Sequence, residues 1–173
     1  MFRFSIFLSA GLACVLALAA CSPAFNWREV RLDGTRLHLL LPCKPDKAQK
    51  LVPLGGQPTL LSMLGCDAGG ATFAVAVADV GDAARAAPVL ATWQELTLAN
   101  MKAVPASRQT LPLRIPGVPA TRVQAQGQRA DGTAISGQAA YFAQGAQLFQ
   151  VVVYAPALAP EVAETFFSSL KFE

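Results

Sequence analysis

Short apolar runs of strand length alternate along the chain with glycine turn signals. Asp33-Gly34 separates Trp27–Leu32 from Arg36–Leu41, and Gly55-Gly56 separates Lys47–Leu54 from Thr59–Cys66. Gly69-Gly70 precedes Thr72–Val80, Asp131-Gly132 separates Thr121–Gln128 from Ala134–Phe142, and Gln144-Gly145 precedes Leu148–Tyr154. Two-residue glycine turns between apolar runs predict antiparallel hairpins. Two segments follow the helical period instead. Pro88–Ala103 opens on a proline suited to a first helical position and aligns Val89, Trp93 and Leu96 on one face. Pro160–Leu170 carries Glu161 and Glu164 early, where the helix dipole favours them, and an apolar stripe of Val162, Phe166, Phe167 and Leu170. Strands, a helix, strands and a second helix predict an α+β fold: a mostly antiparallel sheet of about seven or eight strands with two packed helices. Within Thr72–Val80, Phe73, Val75 and Val77 face one way and Ala74, Ala76 and Ala78 the other. The alanine row is either plain core filling or a surface that another element approaches closely.

The start of the chain breaks this pattern. Arg3 precedes an uncharged apolar stretch from Ser5 to Ala20. A basic start and a short apolar stretch mark a secretory signal, and about 16 residues fall short of the ~20 that cross a bilayer. The stretch ends in Leu18-Ala19-Ala20-Cys21, which resembles a bacterial lipobox, whereas Cys14 after Gly11-Leu12-Ala13 fits that pattern poorly. The resemblance implies cleavage before Cys21, diacylglycerol on its thiol and acylation of the new amine. One acyl chain gives only reversible membrane binding, so three chains on one cysteine make a lasting anchor. Ser22 stands where an aspartate would favour retention at the inner membrane. The resemblance therefore implies the outer membrane, facing the periplasm. The organisation that follows is a signal peptide over 1–20, a lipidated cysteine and short tether over 21–26, and one domain over 27–173.

Composition narrows the function classes. The chain has 173 residues, 53% of them hydrophobic and 14% charged, with a net charge of +3. It is too apolar for disorder, and its near-balanced charge without charge blocks argues against a nucleic-acid partner. With Cys21 assigned to lipid, Cys43 and Cys66 remain as a pair in an exported, disulfide-permissive compartment. If Gly55-Gly56 is the turn, residue 54 faces 57 and residue 45 faces 66. Cys43 then lies two positions from the partner of Cys66, a diagonal neighbour that a small shift or bulge would let form a disulfide. The alternatives are a redox or metal pair, which a Cys-x-x-Cys spacing would favour, or free thiols.

Catalytic signatures are sparse. The chain holds no glycine-rich phosphate loop, no His-Glu-x-x-His and no Gly-x-Ser-x-Gly. Ser168-Ser169-Leu170-Lys171 contains a bare Ser-x-x-Lys without companion motifs, and a helix end with a favourable lysine explains it better. His38 is the one imidazole and shares its strand face with Arg36 and Leu40, a rim position. Asp79 and Asp82 read as a strand end and its loop, with a weak cation site as the alternative. No metal centre and no cofactor are expected. The most distinctive surface candidate is Arg122, Gln124, Gln126 and Gln128, which share one face of a strand while Val123, Ala125 and Gly127 share the other. This polar ladder is either a solvated face or a face that binds a protein partner or a glycan, since amides donate and accept. Trp27 either caps the core or touches lipid headgroups.

Asn26-Trp27-Arg28-Glu29-Val30-Arg31 and Leu39-Leu40-Leu41-Pro42 resemble small proteobacterial envelope lipoproteins. Ala140-Tyr141-Phe142, Leu148-Phe149-Gln150-Val151 and Phe166-Phe167-Ser168-Ser169-Leu170 are similar to PsbP-like α/β sandwiches, whose closing helix carries an aromatic pair before serine. These are core and turn positions and transfer no functional residue. The resemblance implies a non-enzymatic accessory factor that binds an envelope protein and is held at the membrane through Cys21. The alternative is a periplasmic module for a small ligand or glycan, which a pocket with convergent polar groups would favour. A hydrolase would need His38 beside a nucleophile and a carboxylate.

Overall fold

A computed structural model describes residues 24–173. The signal peptide and Cys21 lie outside the described residues. Among the described residues, ten strands and two α-helices form in the order β1 (Arg28–Arg31), β2 (Leu37–Leu41), β3 (Asp46–Leu54), β4 (Gln57–Ala68), β5 (Ala71–Asp79), α1 (Ala86–Asn100), β6 (Gln109–Leu111), β7 (Ala120–Gln128), β8 (Ala134–Gln144), β9 (Gln147–Ala155), α2 (Pro160–Ser168) and β10 (Lys171–Phe172). Seven strands make one sheet in the order β3-β4-β5-β9-β8-β7-β6, and β1-β2-β10 make a second. Every pairing is antiparallel. The fold is the expected α+β sandwich. The count rises to ten because β6 and β10 have three and two residues, too few to show a period.

The turns explain the registers. Gly55 and Gly56 both have positive φ, and they close β3 onto β4 with Leu54 opposite Gln57. A two-residue hairpin turn of this hand needs positive φ at both positions, which glycine adopts without a steric penalty. The same register places Asp46 opposite Gly65. Cys43, in the segment leaving β2, then meets Cys66 on β4, and the two form a disulfide with Cα atoms 6.0 Å apart. The bond ties the segment after the small sheet to the large one.

The large sheet is covered on both faces. On one, Ala76 and Ala78 pack with Val89 and Trp93 of α1, together with Ala139, Tyr141, Leu148 and Val152. The alanine row is therefore a seat for the helix. On the other face, Phe73, Val75, Phe149, Val151 and Val153 meet Leu37, Leu39 and Leu41 of the small sheet and Phe166, Phe167 and Leu170 from α2 and its exit. Trp27 belongs to this core, stacked on Phe25 and edge-on to Phe73.

Both helices depart from the expected bounds. α1 starts at Ala86 because a short 3₁₀ turn over Ala83–Arg85 feeds it, capped by Asp82, whose side chain accepts from the Ala84 N–H. It stops before Lys102, the one non-glycine residue with positive φ among the described residues. Leu96, expected on the buried face, is exposed. The sheet twists beneath the helix, so Leu98 and Met101 make the last contacts, over Ala125 and Ile135. α2 ends at Ser168, and the chain re-extends to pair Phe172 with Leu37. No helix among the described residues is long and apolar enough to cross a membrane.

Candidate polar groove beneath the second helix

Strand β7 lies between β6 and β8. Its register sets Arg122 opposite Ala140, Gln124 opposite Gln138, and Gln126 opposite Ser136. Because side chains alternate across a strand, these polar groups emerge on one face. That face is the α2 side of the sheet. α2 has nine residues, roughly 14 Å of helix, and it leaves the far ends of β7 and β8 uncovered. The opening is a groove of about 470 Å³. Arg122, Gln124, Gln126, Ser136 and Gln138 line it from the sheet, Pro156–Leu158 from the loop after β9, and Pro160, Ala163 and Glu164 from α2.

Its polar groups form a chain of four, Glu164–Arg122–Gln138–Gln124, beside a separate pair, Gln126 with Ser136. Arg122 is only 3% exposed. Its guanidinium lies 4.2 Å from the centre of the Phe167 ring, a cation–π contact. Arg122 Nε and Nη2 donate to Gln138 Oε1 at 3.1 and 2.6 Å, and Nη1 donates to Glu164 Oε1 at 2.8 Å. Gln138 Nε2 donates to Gln124 Oε1 at 3.0 Å, and Gln126 Nε2 to Ser136 Oγ at 3.3 Å. Among the described residues no buried side-chain nitrogen or oxygen lacks a partner. Gln124 Nε2 and Gln126 Oε1 make no hydrogen bond among the described residues and remain available to a guest. The paired strands thus present a buried cation, amide donors and acceptors, and a hydroxyl beside an apolar rim, a combination suited to orienting a small polar molecule.

The polar ladder read from the sequence is corrected in two respects. Arg122 is buried rather than solvated, because α2 closes over that end of β7 and Phe167 supports its guanidinium. Gln128 is exposed and lies outside the groove; its backbone N–H is held by Met101 O at 2.7 Å. Gln138 and Ser136 are absent from the sequence candidates, and Glu164 appears there only as an early carboxylate of the second helix. The hairpin around Asp131-Gly132 holds the signal for the first two, since its register faces them to Gln124 and Gln126. Glu164 carries no such signal, because only the docking of α2 brings it to Arg122.

The other sequence candidates fall elsewhere. His38 Nδ1 is 3.1 Å from Glu29 Oε1, and Glu29, His38 and Glu173 offer ligand atoms within 4.8 Å of one another. Lys171 Nζ already occupies that cluster, 3.5 Å from Glu29 and 2.6 Å from Glu173. The hydrogen bond with Glu173 raises the Lys171 pKa and lowers that of Glu173. This ammonium is the cluster's counter-cation. It also commits Lys171 to these carboxylates, away from Ser168. Asp79 accepts from the Gly81 N–H and Asp82 from the Ala84 N–H, so both serve local turns. A cavity of about 540 Å³ lies between Leu32–Gly34 and the β3–β4 hairpin, but its charged pair, Lys47 with Asp33, is spent across its exposed rim.

No protein-family model matches the chain, and no curated protein is detectably similar to it. Among solved structures, it is similar to a Bacteroides thetaiotaomicron VPI-5482 protein at 13% identity and a TM-score of 0.46, covering 80% of this chain and 45% of that one. The chain thus spans under half the length of that protein. A Pseudomonas aeruginosa protein of unknown function matches at 16% identity and a TM-score of 0.38, covering 75% of this chain and 82% of that one.

Proposed function

We propose that the protein is a lipid-anchored, non-enzymatic binding protein of the bacterial cell envelope, and that it takes a small polar ligand or a glycan in the groove between β7, β8 and α2. The observation that carries the reading is the convergence of Arg122, Gln124, Gln126, Ser136 and Gln138 on one cavity of about 470 Å³. Convergent polar groups in a pocket distinguish a ligand module from a bare scaffold. The anchor rests on Leu18-Ala19-Ala20-Cys21, with Ser22 favouring the outer membrane and a domain facing the periplasm. The Cys43–Cys66 disulfide suits that oxidising compartment. The aromatic core around Phe166 and Phe167 is in keeping with the PsbP-like resemblance. Anchoring would raise the effective concentration of the groove at the membrane surface.

The test uses the full chain extracted from membranes in detergent, titrated with cell-wall fragments and neutral and acidic saccharides. A binder should lose affinity in Gln124→Ala with Gln126→Ala, while the folded core is unchanged. Binding insensitive to that pair would refute the groove. Cys21→Ala should release the protein from the membrane fraction, and retention there would refute the anchor.

A second reading, a protein partner, has its own support. β3 is the outer strand of the large sheet, and Leu51 and Leu60 on the β3–β4 hairpin are 66% and 51% exposed. A partner segment adding a strand there would cover both the edge and these leucines. A photo-crosslinker at position 51 that captures one envelope protein, with none captured from position 126, would move the function to this edge.

A further inference from the structure

The groove's cation has a peculiar partner. Arg122 is nearly fully buried, yet the carboxylate that answers it belongs to Glu164, whose side chain is 67% exposed. The pair is also incomplete. Arg122 donates to one Glu164 oxygen through Nη1 alone, whereas Arg108 Nη2 reaches both oxygens of Glu95 at 3.0 and 2.8 Å. A guanidinium is built to grip a carboxylate with two parallel hydrogen bonds, and a single contact leaves part of that capacity unused. Glu164 is not needed to hold Arg122 in place either. Gln138 Oε1 takes two of its N–H groups, and the Phe167 ring lies against its face. Swinging Glu164 into water restores that carboxylate's hydration, and the cost of unpairing the buried Arg122 is avoided when another carboxylate takes its place. Arg122, by contrast, has no neutral form to retreat to and would be left facing the groove.

We propose that Arg122 is a carboxylate-binding subsite of this groove and that Glu164 is its built-in stand-in, displaced by the carboxylate of an incoming ligand. The inference rests on the groove being a ligand site and narrows the ligand class. It would be a small acidic molecule with a carboxylate at one end and hydroxyl or amide groups that reach Gln124, Gln126 and Ser136. Glu164 sits on the helix that roofs the groove, so the same exchange frees the roof side chain as the ligand enters. In its absence Glu164 keeps the buried charge paired, which avoids an uncompensated guanidinium in a partly apolar site.

Acetate is the minimal probe, because it presents a carboxylate and nothing for the amides. The full chain in detergent, labelled with ¹⁵N, is titrated with acetate against chloride at constant ionic strength, following the Arg122 Nε–H resonance. Glu164→Ala should bind acetate saturably at Arg122, about tenfold more tightly than the wild type, as expected where the stand-in occupies the site about nine-tenths of the time. Glu161→Ala is the control: it removes the same charge from the same helix but should leave acetate affinity unchanged. An Arg122 resonance that ignores acetate in Glu164→Ala, or an equal gain in both variants, would overturn the proposal. The Gln124 and Gln126 side-chain amides separate this from the broader reading. A neutral saccharide that shifts them while acetate leaves Arg122 untouched keeps the groove and rejects the carboxylate subsite. Acetate that saturates at Arg122, with no saccharide shifting the amides, keeps the subsite and rejects the saccharide reading.

Discussion

Strands β7, β8 and β9 present two faces made of alternate residues, and the two have opposite characters. Under α1, Val123, Ala125, Gly137, Ala139, Tyr141 and Tyr154 leave a void of only about 10 Å³. On the reverse, Arg122, Gln124, Gln126, Ser136 and Gln138 open onto about 470 Å³. One cause is side-chain size. Small residues let α1 descend, and at Gly127 the backbone approach is so close that an added Cβ would lie 2.1 Å from Met101 O. The other cause is helix length. α1 has fifteen residues, roughly 22 Å, whereas the nine of α2 stop short of the polar ends of β7 and β8. A sheet whose backbone is regular throughout can therefore pack tightly on one face and leave a polar groove at the end of the other.

The strongest way to break the comparison is to truncate an anchor on each face. Trp93→Ala and Phe167→Ala both empty well-packed positions, and each should lower unfolding free energy by about 3–5 kcal/mol in denaturant titrations. They should differ in function: Phe167→Ala removes the ring beneath Arg122 and weakens ligand binding at temperatures where the variant remains folded. Trp93→Ala should leave binding intact under the same condition. Equal binding losses would erase the distinction between the faces.

Replacing both Cys43 and Cys66 by Ser comes next. The bond closes a loop with a sequence separation of 23, and its loss should cost about 3 kcal/mol by the chain-entropy account. Hydrogen exchange should show the loosening first in β1 and β2, on the small-sheet side, before it reaches α1. A uniform loss of protection would mean that the two faces do not open separately.

Gly127→Ala addresses the close approach at the end of α1. The obstacle is backbone, so the helix end must shift, and the expected cost is about 1–3 kcal/mol. The groove should keep its shape, read from unchanged Gln124 and Gln138 side-chain resonances.

The smallest effect is one of pH. Burial pushes the Tyr154 hydroxyl from 10.0 up to about 12, and burial raises Tyr141 as well. Both lie on the α1 side. Between pH 10 and about 12 the unfolded chain releases its tyrosine protons before the folded chain does. Stability therefore falls as pH rises through that window. Tyr154→Phe should flatten the fall in urea midpoints measured from pH 9 to 12, and an unchanged slope would contradict the burial account.

Much of the architecture was legible because its determinants are local. Gly55-Gly56 sets the β3–β4 register, and that register brings Cys43 to Cys66. Phe166 and Phe167 mark the buried stripe of α2, and Ala76 and Ala78 mark the seat of α1. What escaped depended on distant packing. Leu96 matched the helical period, but sheet twist hands the last buried positions to Leu98 and Met101. β6 and β10 are too short to carry a pattern and exist because neighbouring strands offer them an edge. The groove was half legible: strand alternation aligned Arg122, Gln124 and Gln126, while Glu164 joined them only through tertiary docking, across a separation of 42 residues.

The central claim is that the α2 side of β7 and β8 binds a ligand and the α1 side does not. Native mass spectrometry of the full chain in detergent, mixed with a digest of bacterial cell wall and with a panel of small acids and sugars, tests it most directly. The account predicts a bound species on the wild type that is lost in Gln124→Ala with Gln126→Ala and kept in Trp93→Ala. Identical spectra for the wild type and the glutamine double variant, across the digest and the panel, would contradict it.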